Sequence, residues 1–452
     1  MTATQESPQR LTLGFVAIAR TTFDMPLATE VTHQARTRLL EAGFALIGGE
    51  ELVTTAQDAE SAAKLFAAQP LDVLVIFQAT FADSTMAQSL VERVDAPLLL
   101  WAIPEAPTGG WLRLNSLCGI NLAAHAMTRA GHRYHTLYAR PDDSAALDKV
   151  RAIAQAGYTR RRLRDARIGR VGEHPAGFET CRVNDVGLKQ LFGVNVIQID
   201  QPTLFEKVQV TEPHEVSAVL DDLRPRLAGL DAVDQKALRG TVGTFITLRD
   251  LARDDRFDGY AVRCWPEFFT ELGCAACGSS SLLNDMLIPA SCETDVNGTI
   301  TQLILQWISG ASAFDTDIVS FDLDADTAVF WHCGKAPLSM ADPDVQPRAT
   351  IHANRHKPLL MEFPLKPGRV TLARLSEATS AFRLVIGSGE MVRAPISFTG
   401  TSGVIRFDHP AREVLDRLLG EGLEHHLALV YGDHVAALRA FAQMADLPVL
   451  EL

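Results

Sequence analysis

Carboxylates and histidines gather at four places in the second half of the chain: Cys292-Glu293-Thr294-Asp295, Asp315 with Asp317, His332, and His425-His426. Hard oxygen donors with one imidazole suit a divalent cation of the Mg²⁺ or Mn²⁺ type. A carboxylate can also carry a proton, first as general base and then as general acid. No cluster is diagnostic alone, because a carboxylate after a strand is commonly a helix cap and a lone histidine is commonly structural. Together they point to a metal site of two carboxylates and one histidine. Where a histidine pair leads into a strand, alternation sends one ring to each face, so only one of His425 and His426 is expected to reach a site directly. Glu267, in Cys264-Trp265-Pro266-Glu267 after an expected strand, is a further candidate carboxylate.

Apolar elements must position these groups. Ile300, Leu303, Ile304, Trp307 and Ile308 recur three and four apart and predict a helix entered through Asn297-Gly298. Asp322, Asp324 and Asp326 read as a solvated turn, and an apolar strand over 328–331 ends on His332-Cys333-Gly334. Upstream, 11–19, 44–47, 73–77 and 98–101 read as strands alternating with helices, the pattern of a doubly wound parallel sheet. Its functional loops are expected after strand C-termini, at 20–24, 78–83 and 102–110. A second α/β unit begins near Arg167, with later strands at 194–199 and 259–264. Beyond His332, short strands between Gly and Pro turns predict a small antiparallel sheet or barrel.

At 452 residues, two or three domains are expected. The net charge of −13 disfavours nonspecific nucleic-acid binding and anionic membrane surfaces. No apolar run approaches the ~20 residues that span a bilayer. The N-terminus, MTATQESPQR, lacks the apolar core of a signal peptide, so a cytoplasmic protein is expected. Seven scattered cysteines suit free thiols, with Cys274 and Cys277 read as small buried residues. No GxGxxG follows the first strand, which leaves a dinucleotide site without support. The arginines between Arg160 and Arg170 read as a solvated basic face, with an anion site as the alternative.

The motifs Cys292-Glu293-x-Asp295-x-x-Gly298, the Asp317 that follows, Trp331-His332-Cys333-Gly334, and His425-His426 ahead of Val430-Tyr431-Gly432 carry a family likeness. On them the chain resembles a divergent member of the L-fucose isomerase and L-arabinose isomerase family. Leu114-Asn115-Ser116-Leu117-Cys118-Gly119 fits as well. The resemblance implies two doubly wound parallel-sheet α/β domains, residues 1–145 and 146–312, then a C-terminal domain, 313–452, with an antiparallel β-barrel. It implies an aldose–ketose isomerase that acts on a monosaccharide through an enediolate, with Mn²⁺ or Mg²⁺. Carried over by position, Glu293 and Asp317 are the metal-binding carboxylates and the acid/base pair. His426 completes the metal site, and His332 is a ligand or a neighbour of the ligands. His425, Glu267, Trp101, Arg20 and Lys335 are expected substrate contacts. Members are hexamers whose sites borrow residues from a neighbour, so a homo-oligomer, hexamer or trimer, is expected. The same frame also fits an epimerase or other enediolate-forming enzyme, or a non-catalytic sugar-binding protein.

Overall fold

The computed structural model describes residues 10–452; the first nine residues, which carry most of the N-terminal stretch read above, lie outside the described residues. The chain packs as two compact units: residues 10–162 with Ala436–Asp446, and Leu163–Val435 with Leu447–Leu452.

The first unit is built on a parallel sheet whose main path runs Ala45–Ile47, Thr12–Ile18, Val73–Gln78, Leu98–Ala102, His135–Tyr138. Every residue of Val73–Gln78 and Leu98–Ala102 is buried. A strand covered on both faces has no solvent side, which is why these stretches run apolar instead of alternating. A capping box between Thr55 and Asp58 starts the helix Ala56–Ala67. The helix Ser116–Arg129 follows Asn115, which takes a left-handed conformation and turns the chain into it.

The second unit holds two sheets. One is parallel, in the order Ala290–Ser291, Gly259–Val262, Arg167–Val171, Asn195–Ile199. The other closes on itself. Thr327–His332, Phe314–Asp322, His426–Tyr431, Gly368–Ser376, Arg383–Val392 and Thr401–Phe407 pair antiparallel in that sequence, and the last pairs back onto the first. The result is a six-stranded barrel, so the fold is the expected combination of parallel α/β sheets and a C-terminal antiparallel barrel. The helix Val296–Ser309 lies against strands of both sheets and is buried at every position but its last. Its periodicity predicted one apolar stripe; it is covered all round instead. Residues on both sides of the helix belong to the second packed unit.

Candidate active site

The strand Ala290–Ser291 ends in a tight turn over Cys292–Asp295. Glu293 and Thr294 sit at φ 58° and 60°, two consecutive residues in the left-handed region. Each such non-glycine residue costs about 1–3 kcal/mol, a cost that persists where the surroundings enforce it. Thr294 N–H bonds to the Val262 carbonyl at 3.1 Å, and Asp295 N–H to the Cys292 carbonyl at 3.0 Å. The turn directs Glu293 away from the core, with its side chain 16% exposed. Asp295 instead turns inward and caps the following helix by accepting from Gly298 N–H at 2.8 Å.

Asp317 and His426 face each other across neighbouring barrel strands, and directly opposed residues project to one face. His426 Nε2 lies 3.6 Å from Asp317 Oδ1 and 4.0 Å from Glu293 Oε2. Its Nδ1 lies 3.0 Å from Asp295 Oδ2. That bond fixes the ring and aims Nε2 at the two other carboxylates. Burial alone would favour neutral imidazole. The Asp295 hydrogen bond outweighs it, with help from Cys181 and Asp317, and holds the His426 pKa well above its usual value. Asp295 is fully buried against Arg374. Burial raises the Asp295 pKa, but the guanidinium charge and the His426 bond more than reverse this. Gly298 makes room for the pair: a Cβ there would meet Asp295 Oδ2 at 2.6 Å and Arg374 Nη1 at 3.2 Å.

The charges do not balance within the chain. Of four neighbouring carboxylates, Asp295 is paired with Arg374 and Asp315 with Lys335. Among the described residues, Glu293 and Asp317 have only histidines as ionic partners. Asp317 Oδ1 and His332 Nε2 are buried without a hydrogen-bond partner among the described residues. The His332 ring lies 5.6 Å from the His426 ring, centroid to centroid. Two unpartnered ligand atoms, a second carboxylate and a fixed imidazole are the donor set a hard divalent cation takes. Among the described residues, Cys181, Glu293, His425 and His426 offer ligand atoms that all lie within 4.8 Å of one another, and so do Asp315, His332 and His426, so the centre could hold a metal ion.

Around this centre stands an aromatic rim. Trp265 Nε1 donates to Glu293 Oε1 at 3.3 Å, and Phe178 packs edge-on to Trp265 with centroids 5.5 Å apart. His425 Nε2 lies 3.0 Å from Glu293 Oε2, and its Nδ1 lies 2.8 Å from Thr180 Oγ1. Burial raises the Glu293 pKa, but the His425 bond and the His426 charge prevail and lower it. Cys181 closes the floor, its Sγ 3.9 Å from Glu293 Oε2; burial pushes this thiol up to about 11.

The structure thus brings Glu293, Asp317, His426, His332 and His425 together. The alternation argument for the histidine pair does not hold. The strand begins at His426, so His425 precedes the pleat and both rings reach Glu293. Lys335 is sealed inside on Asp315, whose other oxygen accepts from Cys292 N–H at 3.4 Å. It ties the His332 turn down and has no surface for a substrate. Glu267 is held by Arg263 at 2.7 Å; its neighbour Trp265 makes the contact with Glu293 instead. Trp101 is fully buried in the other unit, edge-on to Phe77, with Nε1 donating to the Ala139 carbonyl at 2.9 Å. Arg20 belongs to that unit too, half exposed and 3.6 Å from Asp83. Trp265, Phe178, Thr180, Cys181 and Arg374 were not anticipated. Trp265 alone carried a signal, its place two residues before the chosen Glu267.

Comparison with known proteins gives a consistent result. The N-terminal domain of the fucose/sulfoquinovose isomerase family matches residues 14–155, and the L-fucose isomerase C-terminal domain matches residues 330–452. A sulfoquinovose isomerase of Alkalicoccus urumqiensis is 31% identical over 443 residues, 98% of this chain and 99% of that one. One from Priestia aryabhattai is 30% identical over 442 residues, covering 97% and 98%. One from Clostridium sp. (strain MSTE9) is 32% identical over 379 residues, covering 83% and 85%. Among the described residues, no helix is long and apolar enough to cross a membrane.

Proposed function

Because the chain belongs to the fucose/sulfoquinovose isomerase family and is an aldose–ketose isomerase, we propose that its substrate is sulfoquinovose, a hexose carrying a sulfonate at C6. The product is the matching ketose, formed through an enediolate with Mn²⁺ or Mg²⁺ bound. The observation that carries the reading is the alignment with sulfoquinovose isomerases along nearly the whole chain, at 31% and 30% identity. The arrangement of Glu293, Asp317 and His426 supports the mechanism.

Moving the carbonyl from C1 to C2 requires a proton to leave one carbon and arrive at the other. Glu293 and Asp317 flank His426 and present oxygens to one space, so one carboxylate takes the proton and returns it while the other steadies the hydroxyl protons. His425 and Trp265 hold the two oxygens of Glu293 by separate bonds, which fixes the carboxylate's orientation. Asp295 keeps His426 turned toward the pair. A divalent ion, when bound, polarises the carbonyl and stabilises the negative charge that develops on the sugar oxygens. The aromatic rim excludes water from one side and offers apolar faces to sugar C–H groups. The family resemblance also supports a hexamer, which light scattering checks.

Incubating the protein with sulfoquinovose and Mn²⁺ in D₂O tests the reading. The expected result is a ketose with deuterium at the exchanging carbon, lost in EDTA. A C2-inverted aldose in place of the ketose would overturn the assignment of the reaction. Exchange with L-fucose but none with sulfoquinovose would overturn the assignment of the substrate.

A further inference from the structure

A chain with a net charge of −13 repels a sulfonated sugar, so a substrate of that class needs a local cation. Most cations near the centre are committed. Arg374 and Lys335 are buried on Asp295 and Asp315, and Arg263 is taken by Glu267. The arginine run noted in the sequence is also engaged: Arg161 bonds Asp72, Arg170 bonds Glu173, and Arg167 donates to the Asp255 carbonyl.

Arg355 is different. Its guanidinium lies 4.9 Å from the Trp265 ring centroid and 5.2 Å from that of Phe269, and no carboxylate pairs with it among the described residues. Trp265 is the indole whose N–H donates to Glu293, so a single ring links the carboxylate centre to this cation. A guanidinium packed on aromatic faces is weakly hydrated and held flat, with its N–H fork left for an oxyanion. The loop that carries it is braced. His352 N–H bonds to the Lys357 carbonyl at 2.9 Å, and His356 N–H to the His352 carbonyl at 2.7 Å. The His352 ring meets Phe269 edge-on, with centroids 5.4 Å apart. Burial, with the Arg355 charge next, lowers the His352 pKa to about 4, so this ring is neutral near pH 7.

We propose that Arg355 is the specificity residue for the anionic end of the substrate: seated on Trp265 beside Glu293, its guanidinium receives the C6 sulfonate while C1 and C2 lie at the carboxylates. This rests on the sulfoquinovose reading above, and the test separates the two. The Mn²⁺-loaded enzyme is assayed with sulfoquinovose and with 6-deoxyglucose, the same skeleton without the sulfonate, taken as substrate or as competitive inhibitor. In Arg355→Met, kcat/KM for sulfoquinovose should fall about 100-fold, mainly through KM, as expected for loss of a charged hydrogen-bonded contact. The constant for 6-deoxyglucose should move less than about threefold. Arg355→Lys, which keeps the charge without the fork, should fall between and guards against a folding defect in the first variant. Equal losses on both sugars, or a variant that keeps its preference for sulfoquinovose, would overturn the role of Arg355 alone. A wild-type enzyme that shows no preference for the sulfonated sugar would overturn the substrate reading and this inference with it.

Discussion

His426 is held between two kinds of carboxylate: Asp295 on Nδ1 at 3.0 Å, and Asp317 facing Nε2 at 3.6 Å. The first is buried and neutralised by Arg374; the second has an oxygen with no hydrogen-bond partner among the described residues. One side of the ring is therefore anchored and the other is available. Asp295→Asn should weaken Mn²⁺ binding by about 10–100-fold, the usual cost of removing a carboxylate that orients a ligating histidine. Titration calorimetry on the refolded variant reads this directly, and an unchanged affinity would show that His426 needs no anchor.

Arg374→Leu should destabilise the fold by about 3–5 kcal/mol, because Asp295 would remain buried without its counter-charge. Urea denaturation of the metal-free proteins checks it. A loss below about 1 kcal/mol would place the pair with weak surface bridges instead.

Glu293→Gln and Asp317→Asn should each lower kcat by about 10²–10⁴, the range for loss of a general acid–base group, with circular dichroism unchanged. Turnover near the wild-type value in either variant removes that residue from the proton-transfer role.

Bound metal should raise thermal stability. Mn²⁺ at a hundred times its dissociation constant adds about 2.7 kcal/mol, and the rise in Tm should shrink in Glu293→Gln, Asp317→Asn and His332→Gln. His332 is the informative member, since its Nε2 is buried without a hydrogen-bond partner among the described residues. If His332→Gln keeps the full rise, this ring is not a ligand.

Outside the site, burial with Lys149 nearby lowers the His135 pKa to about 4, against 6.5 for the free group. The folded state releases a proton that the unfolded chain holds in this window, so stability rises with pH there. The contribution is whole above about pH 6.5 and is lost as pH falls toward 4, at up to about 1.4 kcal/mol per unit. The wild-type urea midpoint should drop between pH 7 and pH 5, and His135→Phe should flatten that drop.

The alternation of apolar strands and helices was readable because buried parallel strands leave no other mark than their apolar runs. Strands expected at 73–77 and 98–101 lie at Val73–Gln78 and Leu98–Ala102. Glu293, Asp317, His332, His425 and His426 were legible by residue type and motif. What the sequence hid were partnerships across distance. Lys335 looks like a loop cation until Asp315, on the strand Phe314–Asp322, is found beside it. Trp101 ends the strand expected at 98–101 and looks free to meet a substrate until that strand is found paired on both sides, with the ring fully buried. Trp265 and Arg355 are 90 positions apart in sequence (355 − 265), and no local pattern announces that one lies on the other.

The barrel's closure has a consequence for fidelity. In an open sheet, a strand can slip by one residue at a free edge, and every side chain then changes face. A ring has no free edge. Asp317 could leave His426 by sliding only if its other neighbour, the strand ending at His332, slid too, and so on round all six seams. The spacing between Asp317 and His426 is thus guarded by a geometric lock, and wear on any one strand would have to break the whole circle before it reached the pair.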